Sequence, residues 1–359
     1  ATWHGRCRLP VDDMCRAATP PLDKFAVASA SSLAAGHELH APSEADLARE
    51  GPLSREQVAE FYESGVVLVR GLLQGDLLDR VLAVRRSVGT MMPNAETYGT
   101  VKTEAWREHA CFLDVALRSP LAAAAEQLTP DEVRGAGRGK PLHVLRDGFF
   151  SLSPGKRGCG WRARRPPRPA QKTLQKTLPR HVLGRFHYRH VDDFFFWPTK
   201  RDGPGPGVNV WVALDAVDAG AGGGLAYAPG SHRPDFLPQR AVIAPPGEAP
   251  QTCEMQSLSP DSHAALEAIK ECPALQPGDA IIHTRFIFHR GDPHTSEGGT
   301  PVARYSVRYV PASSQLEGIN FLPPEEPGGP PRRVTLSGVT IDGAGPEHGH
   351  FPSTELRET

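Results

Sequence analysis

The stretch GDAIIHTRFIFHRG, residues 278–291, carries the reading of the fold. Gly278 and Asp279 form a turn, and the run behind them is β-branched and aromatic, the composition of a buried strand with His289 at its end. Working outward, four more runs of this character are bounded by Gly and Pro: LHVLRDGFFSL (142–152), VNVWVALDAV (208–217), LAYAP (225–229) and ARYSVRYV (303–310). The region before them reads differently. Ser54 and Gln57 have capping-box spacing, Val58, Phe61 and Tyr62 supply one apolar face, and Gly65 ends a helix. VVLVRG (66–71) is a short buried strand. Asp76 is placed to cap a second amphipathic helix with Leu77, Leu78, Val81, Leu82, Val84 and Val88 on its inner face. Helices first and strands after predict an α+β, mainly β domain, a barrel or sandwich buttressed by N-terminal helices.

Composition narrows the classes. Of 359 residues, 39% are apolar and 23% charged, and Gly and Pro number 36 each, which argues against a largely helical protein. No run of about 18 apolar residues occurs, so no membrane span is expected. The first fifty residues lack the compact apolar stretch of a signal peptide. Residues 1–52 are expected to be a disordered or loosely packed extension, 53–320 the folded domain and 321–359 a C-terminal extension. The six cysteines are scattered without a C-x-x-C pair. That pattern suits reduced intracellular thiols, with the cytoplasm the expected location, better than a disulfide framework or a cysteine zinc site.

The net charge of -1 conceals an uneven distribution. Residues 162–189 hold nine Lys/Arg and no acid, leaving 31 basic against 41 acidic residues elsewhere. With its near-duplicate QKTLQKTL, this segment is a low-complexity basic insert in an acidic protein.

Two segments carry chemistry. In RHVDDFFFWP (189–198), strand alternation puts His190 and Asp192 on one face, about 7 Å apart along the strand, and turns Asp193 away. An isolated H-x-D is common by chance and needs a third ligand from another strand. His289 supplies it, with His283, of the same parity, and His294 as competitors. Two histidines and one carboxylate leave coordination positions open, as in non-haem Fe(II) oxygenases, although a zinc hydrolase can use the same set. The strand after them tips the balance. Arg304 and Ser306 share a face and form a fork for a distant carboxylate, as 2-oxoglutarate requires and a simple hydrolase does not. Arg308, four residues on, is the rival of Arg304, and Arg304 also has the bland reading of a surface strand residue.

Taken together, these segments resemble the phytanoyl-CoA dioxygenase (PhyH-like) family over roughly 53–90 and 140–311. The resemblance lies in LSREQVAEFYESGVVLVRGLL, LHVLRDGFFSLSPG, HVDDFFFWP, VNVWVALDAVDAGAGGGLAYAPGSHRP with its PGSH block, GDAIIHTRFIFHRG and ARYSVRYVP. It implies a double-stranded β-helix (a jelly-roll, cupin-like barrel) and Fe(II)- and 2-oxoglutarate-dependent dioxygenase activity on a small-molecule or acyl substrate, with ascorbate as a reductant. His190, Asp192 and His289 match the iron ligands, Arg304 with Ser306 matches the 2-oxoglutarate anchor, and Trp211 falls where the cosubstrate pocket is lined. Asp192 argues against the halogenase variant, which drops the carboxylate to make room for chloride. Phe194, Phe195, Phe196 and Trp197 line the barrel mouth or pack in the core. The alternative from another class is a non-catalytic barrel whose basic insert engages an acidic or nucleic-acid partner.

The chain departs from the family pattern in three places. His289 to Arg304 is longer than usual, and a basic residue common before the metal motif is replaced near Leu152. Above all, Cys159-Gly160-Trp161 would join directly to His190 if residues 162–189 were removed. The insert therefore has the form of a retained intron or gene-model artefact, the alternative being a genuine partner-binding loop. Sequencing the transcript is expected to find message lacking these codons; message that always contains them makes the loop genuine.

Overall fold

The computed structural model describes residues 42–90, 99–130, 141–156, 158, 161, 197–200, 207–236, 239, 255–295, 299–322, 332–344, 349 and 351–355. A short helix α1 (Glu44–Leu47) precedes α2 (Arg55–Ser64), which begins where the sequence places it. Ser54 Oγ accepts from the Gln57 amide at 3.2 Å, and Gln57 Oε1 accepts from the Ser54 amide at 2.9 Å, so two orphan donors are satisfied reciprocally. Gly65 ends the helix at φ 76°, a left-handed conformation that favours glycine. Val58, Phe61 and Tyr62 are the residues this helix buries. β1 (Val66–Val69) leads to α3 (Gly75–Val84), whose cap position is taken by Gln74 and not by Asp76. The Leu73 amide is held by the Gly278 carbonyl, which starts the helix early and leaves the Asp76 carboxylate in the first turn, favourable to the helix dipole. Helices α4 (Cys111–Arg118) and α5 (Pro120–Gln127) follow, joined at Ser119, which caps α5 through the Leu121 amide.

The strands β2 (Thr100–Thr103), β3 (Leu142–Leu152), β4 (Val208–Ala213), β6 (Ala280–Thr284) and β8 (Val302–Pro311) join β1 in a six-stranded sheet of order β1-β6-β4-β8-β3-β2. Every pairing in it is antiparallel. Two smaller sheets pair β5 (Leu225–Tyr227) with β7 (His289–Gly291), and β9 (Gln315–Leu322) with β10 (Arg332–Thr340). β9 runs through residue 320, the boundary drawn from sequence. Among the described residues no helix is long and apolar enough to cross a membrane.

Alternation divides the main sheet into two faces. Val67, Ile282, Val210, Tyr305 and Phe149 pack with Phe61, Phe112, Val115 and Leu121 of the helices in the largest core cluster. The arrangement is a mixed α/β fold in which an antiparallel sheet is covered on one face by N-terminal helices, as composition and patterning predict. The turn into β6 depends on Gly278, at φ 90°, where a Cβ would meet the Leu73 carbonyl oxygen at 2.1 Å. Beside it, Asp279 accepts from the Gly71 and Gln276 amides and from Arg70.

A carboxyl is buried on the helix-covered face. Asp147 of β3 accepts from the Tyr305 hydroxyl at 3.0 Å, and that hydroxyl also lies 3.1 Å from the Phe112 carbonyl. Burial pushes the Asp147 carboxyl up to about 7, against the pull of the Tyr305 hydroxyl and with help from the Glu104 charge. Protonated, Asp147 can donate to Tyr305, whose single proton then goes to Phe112; ionised, it competes with Phe112 for that proton. The folded protein therefore retains a proton that the unfolded chain releases near pH 4. The stability this provides is present at low pH and is lost as pH rises through about 7. Asp147→Asn is expected to flatten the fall in melting temperature between pH 5 and 8, and to be more stable than wild type at pH 8. An equal loss of stability at both pH values would contradict this account.

Candidate functional site

The second face of the main sheet is lined with polar side chains that are nonetheless buried. Register sets them in rows across the strands. His283 lies opposite Asn209, Asn209 opposite Arg308, and Arg308 opposite Arg146. In the next row Trp211 lies between Ile281 and Ser306, and in the one after, Arg304 lies between Ala213 and Phe150. Arg304, Ser306 and Arg308 are 2%, 1% and 3% exposed, so the reading of Arg304 as a surface strand residue is excluded.

Arg304 and Trp211 are brought together. The Arg304 guanidinium sits 5.9 Å from the Trp211 ring centre and 5.7 Å from that of Phe150. It donates to the Gly223 carbonyl at 2.7 Å. Gly223 belongs to the Gly-rich turn, where Gly222 is also left-handed and a Cβ on it would meet the Pro293 carbonyl oxygen at 1.8 Å. Arg308 is on the same face but elsewhere, between Asn209 and Arg146. Ser306, expected beside Arg304 at a carboxylate, gives its proton to Asn209 Oδ1 at 2.8 Å.

The strand read from sequence over 279–289 is in fact two. β6 ends at Thr284, and the chain crosses to the small sheet, where β7 begins at His289. Two hydroxyls make the break: the Phe286 amide turns to Thr284 Oγ1 and the Phe288 amide to Ser231 Oγ, so neither continues a ladder. Ser231 belongs to the PGSH block, which thereby supports the residue next to His289. The two sheets face one another. Val66, Trp211 and Ile281 of the main sheet share a core with Leu225, Tyr227 and Ile287, and the His283 and His289 rings meet across it at 4.5 Å between centroids.

This break separates the competing histidines. Both ring nitrogens of His283 have protein partners, Nε2 at 2.7 Å from Asn209 Nδ2 and Nδ1 at 2.8 Å from the Thr284 carbonyl. His294 Nε2 is 3.0 Å from the Thr300 carbonyl, far along the loop. His289 places Nδ1 3.2 Å from the Ile287 carbonyl. A carbonyl only accepts, so the proton is on Nδ1 and the lone pair on Nε2, the form in which imidazole ligates a metal.

His190 and Asp192, with Phe194, Phe195 and Phe196, lie outside the described residues. Two of the three proposed ligands being absent from them, no group of three His, Cys, Asp or Glu suited to a metal occurs among the described residues. Both ends of the segment containing them are fixed. Trp161 donates from Nε1 to Glu267 Oε1 at 2.5 Å and lies 4.9 Å beneath the guanidinium of Arg290, the neighbour of His289. Burial would raise the Glu267 carboxyl, but Arg290, Trp161 and Lys270 outweigh it and hold it below its usual range. Trp197 is core rather than mouth, fully buried with Leu145, Phe150, Val310 and Leu316. Asn209, Arg146 and Ser231 are site-face or supporting residues the sequence reading passed over. Asn209 had a visible signal, a lone polar residue in VNVWV on the parity of Trp211.

Comparison with known proteins agrees with the motifs. Residues 179–301 match the sequence profile of the family described as phytanoyl-CoA dioxygenase (PhyH). The match opens inside the basic segment, so 179–189 fall within it and 162–178 before it. No curated protein matches the chain. Among solved structures, the fold is similar to that of EctD from S. alaskensis with 2-oxoglutarate and 5-hydroxyectoine, at a TM-score of 0.51 and 18% identity, covering 78% of this chain and 83% of that one. It is similar also to SnoK, a non-heme alpha ketoglutarate dependent carbocyclase from nogalamycin biosynthesis (TM-score 0.50, 17% identity, 74% and 87% covered). The epimerase SnoN of the same biosynthesis gives 0.50 and 17%, with 83% and 97% covered. At these identities the likeness is one of fold. Over residues 179–301, which include His190, Asp192 and His289 but end before Arg304, the chain carries the sequence pattern of the phytanoyl-CoA dioxygenase family.

Proposed function

We propose that the protein is an Fe(II)- and 2-oxoglutarate-dependent dioxygenase, built on a double-stranded β-helix, that hydroxylates a small-molecule or acyl substrate. The observation that carries this reading is the placement of Arg304, walled by Trp211 and Phe150, on the same buried sheet face that His289 meets from the opposite sheet. The donors fit the groups. His289 has its lone pair on Nε2, and with His190 and Asp192 it makes the mixed imidazole–carboxylate set that suits Fe(II). A buried guanidinium between two aromatic rings suits an anion, and the C5 carboxylate of 2-oxoglutarate matches its fork.

His190, Asp192 and His289 would hold the iron, and Arg304 the cosubstrate. When bound, the pair supplies the oxidising chemistry that converts C–H, O2 and 2-oxoglutarate into C–OH, succinate and CO2. The chain's own part is placement. β7 and the Ser231 contact to Phe288 hold His289, Trp211 and Phe150 keep water from the carboxylate, and the low dielectric strengthens the Arg304 ion pair.

Anaerobic addition of Fe(II) and 2-oxoglutarate is expected to give a new visible charge-transfer band, and its absence favours the non-catalytic barrel. His190→Ala, Asp192→Ala and His289→Ala are each expected to abolish both substrate-coupled and uncoupled 2-oxoglutarate turnover; full turnover in any of them would overturn that ligand assignment. Arg304→Ala is expected to cost about 2–5 kcal/mol of 2-oxoglutarate binding, more than tenfold in KM. A larger rise in KM with Arg308→Ala would transfer the anchor to that residue.

A further inference from the structure

Two hydrogen bonds cross the inner face from β8 through β4 to β6, and a third within β6 completes the series. Ser306 Oγ donates to Asn209 Oδ1 at 2.8 Å, Asn209 Nδ2 lies 2.7 Å from His283 Nε2, and His283 Nδ1 lies 2.8 Å from the Thr284 carbonyl. Their directions follow from the last acceptor. The carbonyl can only accept, so Nδ1 carries the imidazole proton, Nε2 accepts, the amide nitrogen donates and the amide oxygen is left for the serine. His283, Ser306 and Asn209 are all but sealed from solvent, at 0%, 1% and 2% exposure. A buried network satisfied at each of these contacts is rigid.

This chain ends on the ring that touches the proposed metal ligand. The His283 and His289 rings are 4.5 Å apart between centroids and inclined at 43°. The Nδ1 contact of His289, to the Ile287 carbonyl at 3.2 Å, is long for a nitrogen–oxygen hydrogen bond. That contact places the proton on Nδ1, and the His283 ring packs against the ring itself.

We infer that His283, locked by Asn209 and Ser306, is a positioning residue for His289, fixing the plane in which Nε2 faces the metal. The inference rests on the iron site proposed above. It gives Ser306 a different task from the one its spacing to Arg304 suggests. A hydroxyl has one proton, and here it goes to Asn209, so Ser306 serves the metal end of the site while Arg304 serves the carboxylate end.

The two roles of Ser306 separate in one substitution. Ser306→Ala in the full chain is expected to weaken binding of Ni(II) alone, measured by calorimetry, by about tenfold. The affinity of the metal-loaded protein for 2-oxoglutarate should change little. Asn209→Leu should weaken Ni(II) binding at least as much, and Ser306→Thr, which keeps the hydroxyl, should restore it. Weaker 2-oxoglutarate binding with unchanged Ni(II) affinity in Ser306→Ala would make Ser306 a carboxylate contact and overturn the inference. A lower melting temperature with both affinities unchanged would overturn it too, by reducing the network to packing. Wild-type protein that binds no Ni(II) would instead remove the metal site itself.

Discussion

The site depends on the register of β8. This strand is buried along its whole length and pairs with β4 on one side and β3 on the other. Its odd-numbered members Ala303, Tyr305, Val307 and Tyr309 pack in the core with the helices, and its even-numbered members Arg304, Ser306 and Arg308 point to the other face of the sheet. A slip of one residue would exchange the two sets, driving guanidinium groups into an aliphatic core and tyrosines into the site. Tyr305 and Tyr309 oppose such a slip, because each hydroxyl reaches a carbonyl of α4, Phe112 for one and Ala116 for the other. The helices thus do more than cover the sheet. They read its register.

Holding several arginines away from water has a cost of several kcal/mol per ion before compensation. The inner face offsets it with aromatic walls and fixed dipoles, such as the Gly223 carbonyl at Arg304. The well-packed helix face stabilises the sheet that carries them, with Phe112 and Tyr305 rings 4.7 Å apart at its centre. Stability is concentrated on one face and recognition chemistry on the other.

Local signals were legible in the sequence and lateral ones were not. The Ser54–Gln57 cap, the Gly65 stop and the strand runs are written in neighbouring residues. Parity correctly put Arg304, Ser306 and Arg308 on one face, but their lateral neighbours come from register with β3 and β4, which no single strand encodes. The end of β6 was missed because it is made by acceptors, Thr284 Oγ1 and Ser231 Oγ, of which one lies more than fifty residues away. With the break unseen, His283 and His289 had equal parity and equal claims. The resemblance to PhyH proteins supplied what periodicity lacked, the order of the motifs.

The two tryptophans that bracket the segment containing His190 and Asp192 bear on how the chain tolerates its own length. Trp161 is clamped by Glu267 and Arg290, and Trp197 is buried beneath the Arg285 guanidinium at 5.2 Å. Between them stand the 35 residues 162–196, or the seven residues 190–196 if the basic stretch is spliced away. For ends held at fixed points, lengthening a connection fivefold costs only about 1.4 kcal/mol in closure entropy. Two indole rings seated this way act as staples at either end of the segment, so the surrounding sheet is nearly indifferent to how long that segment is.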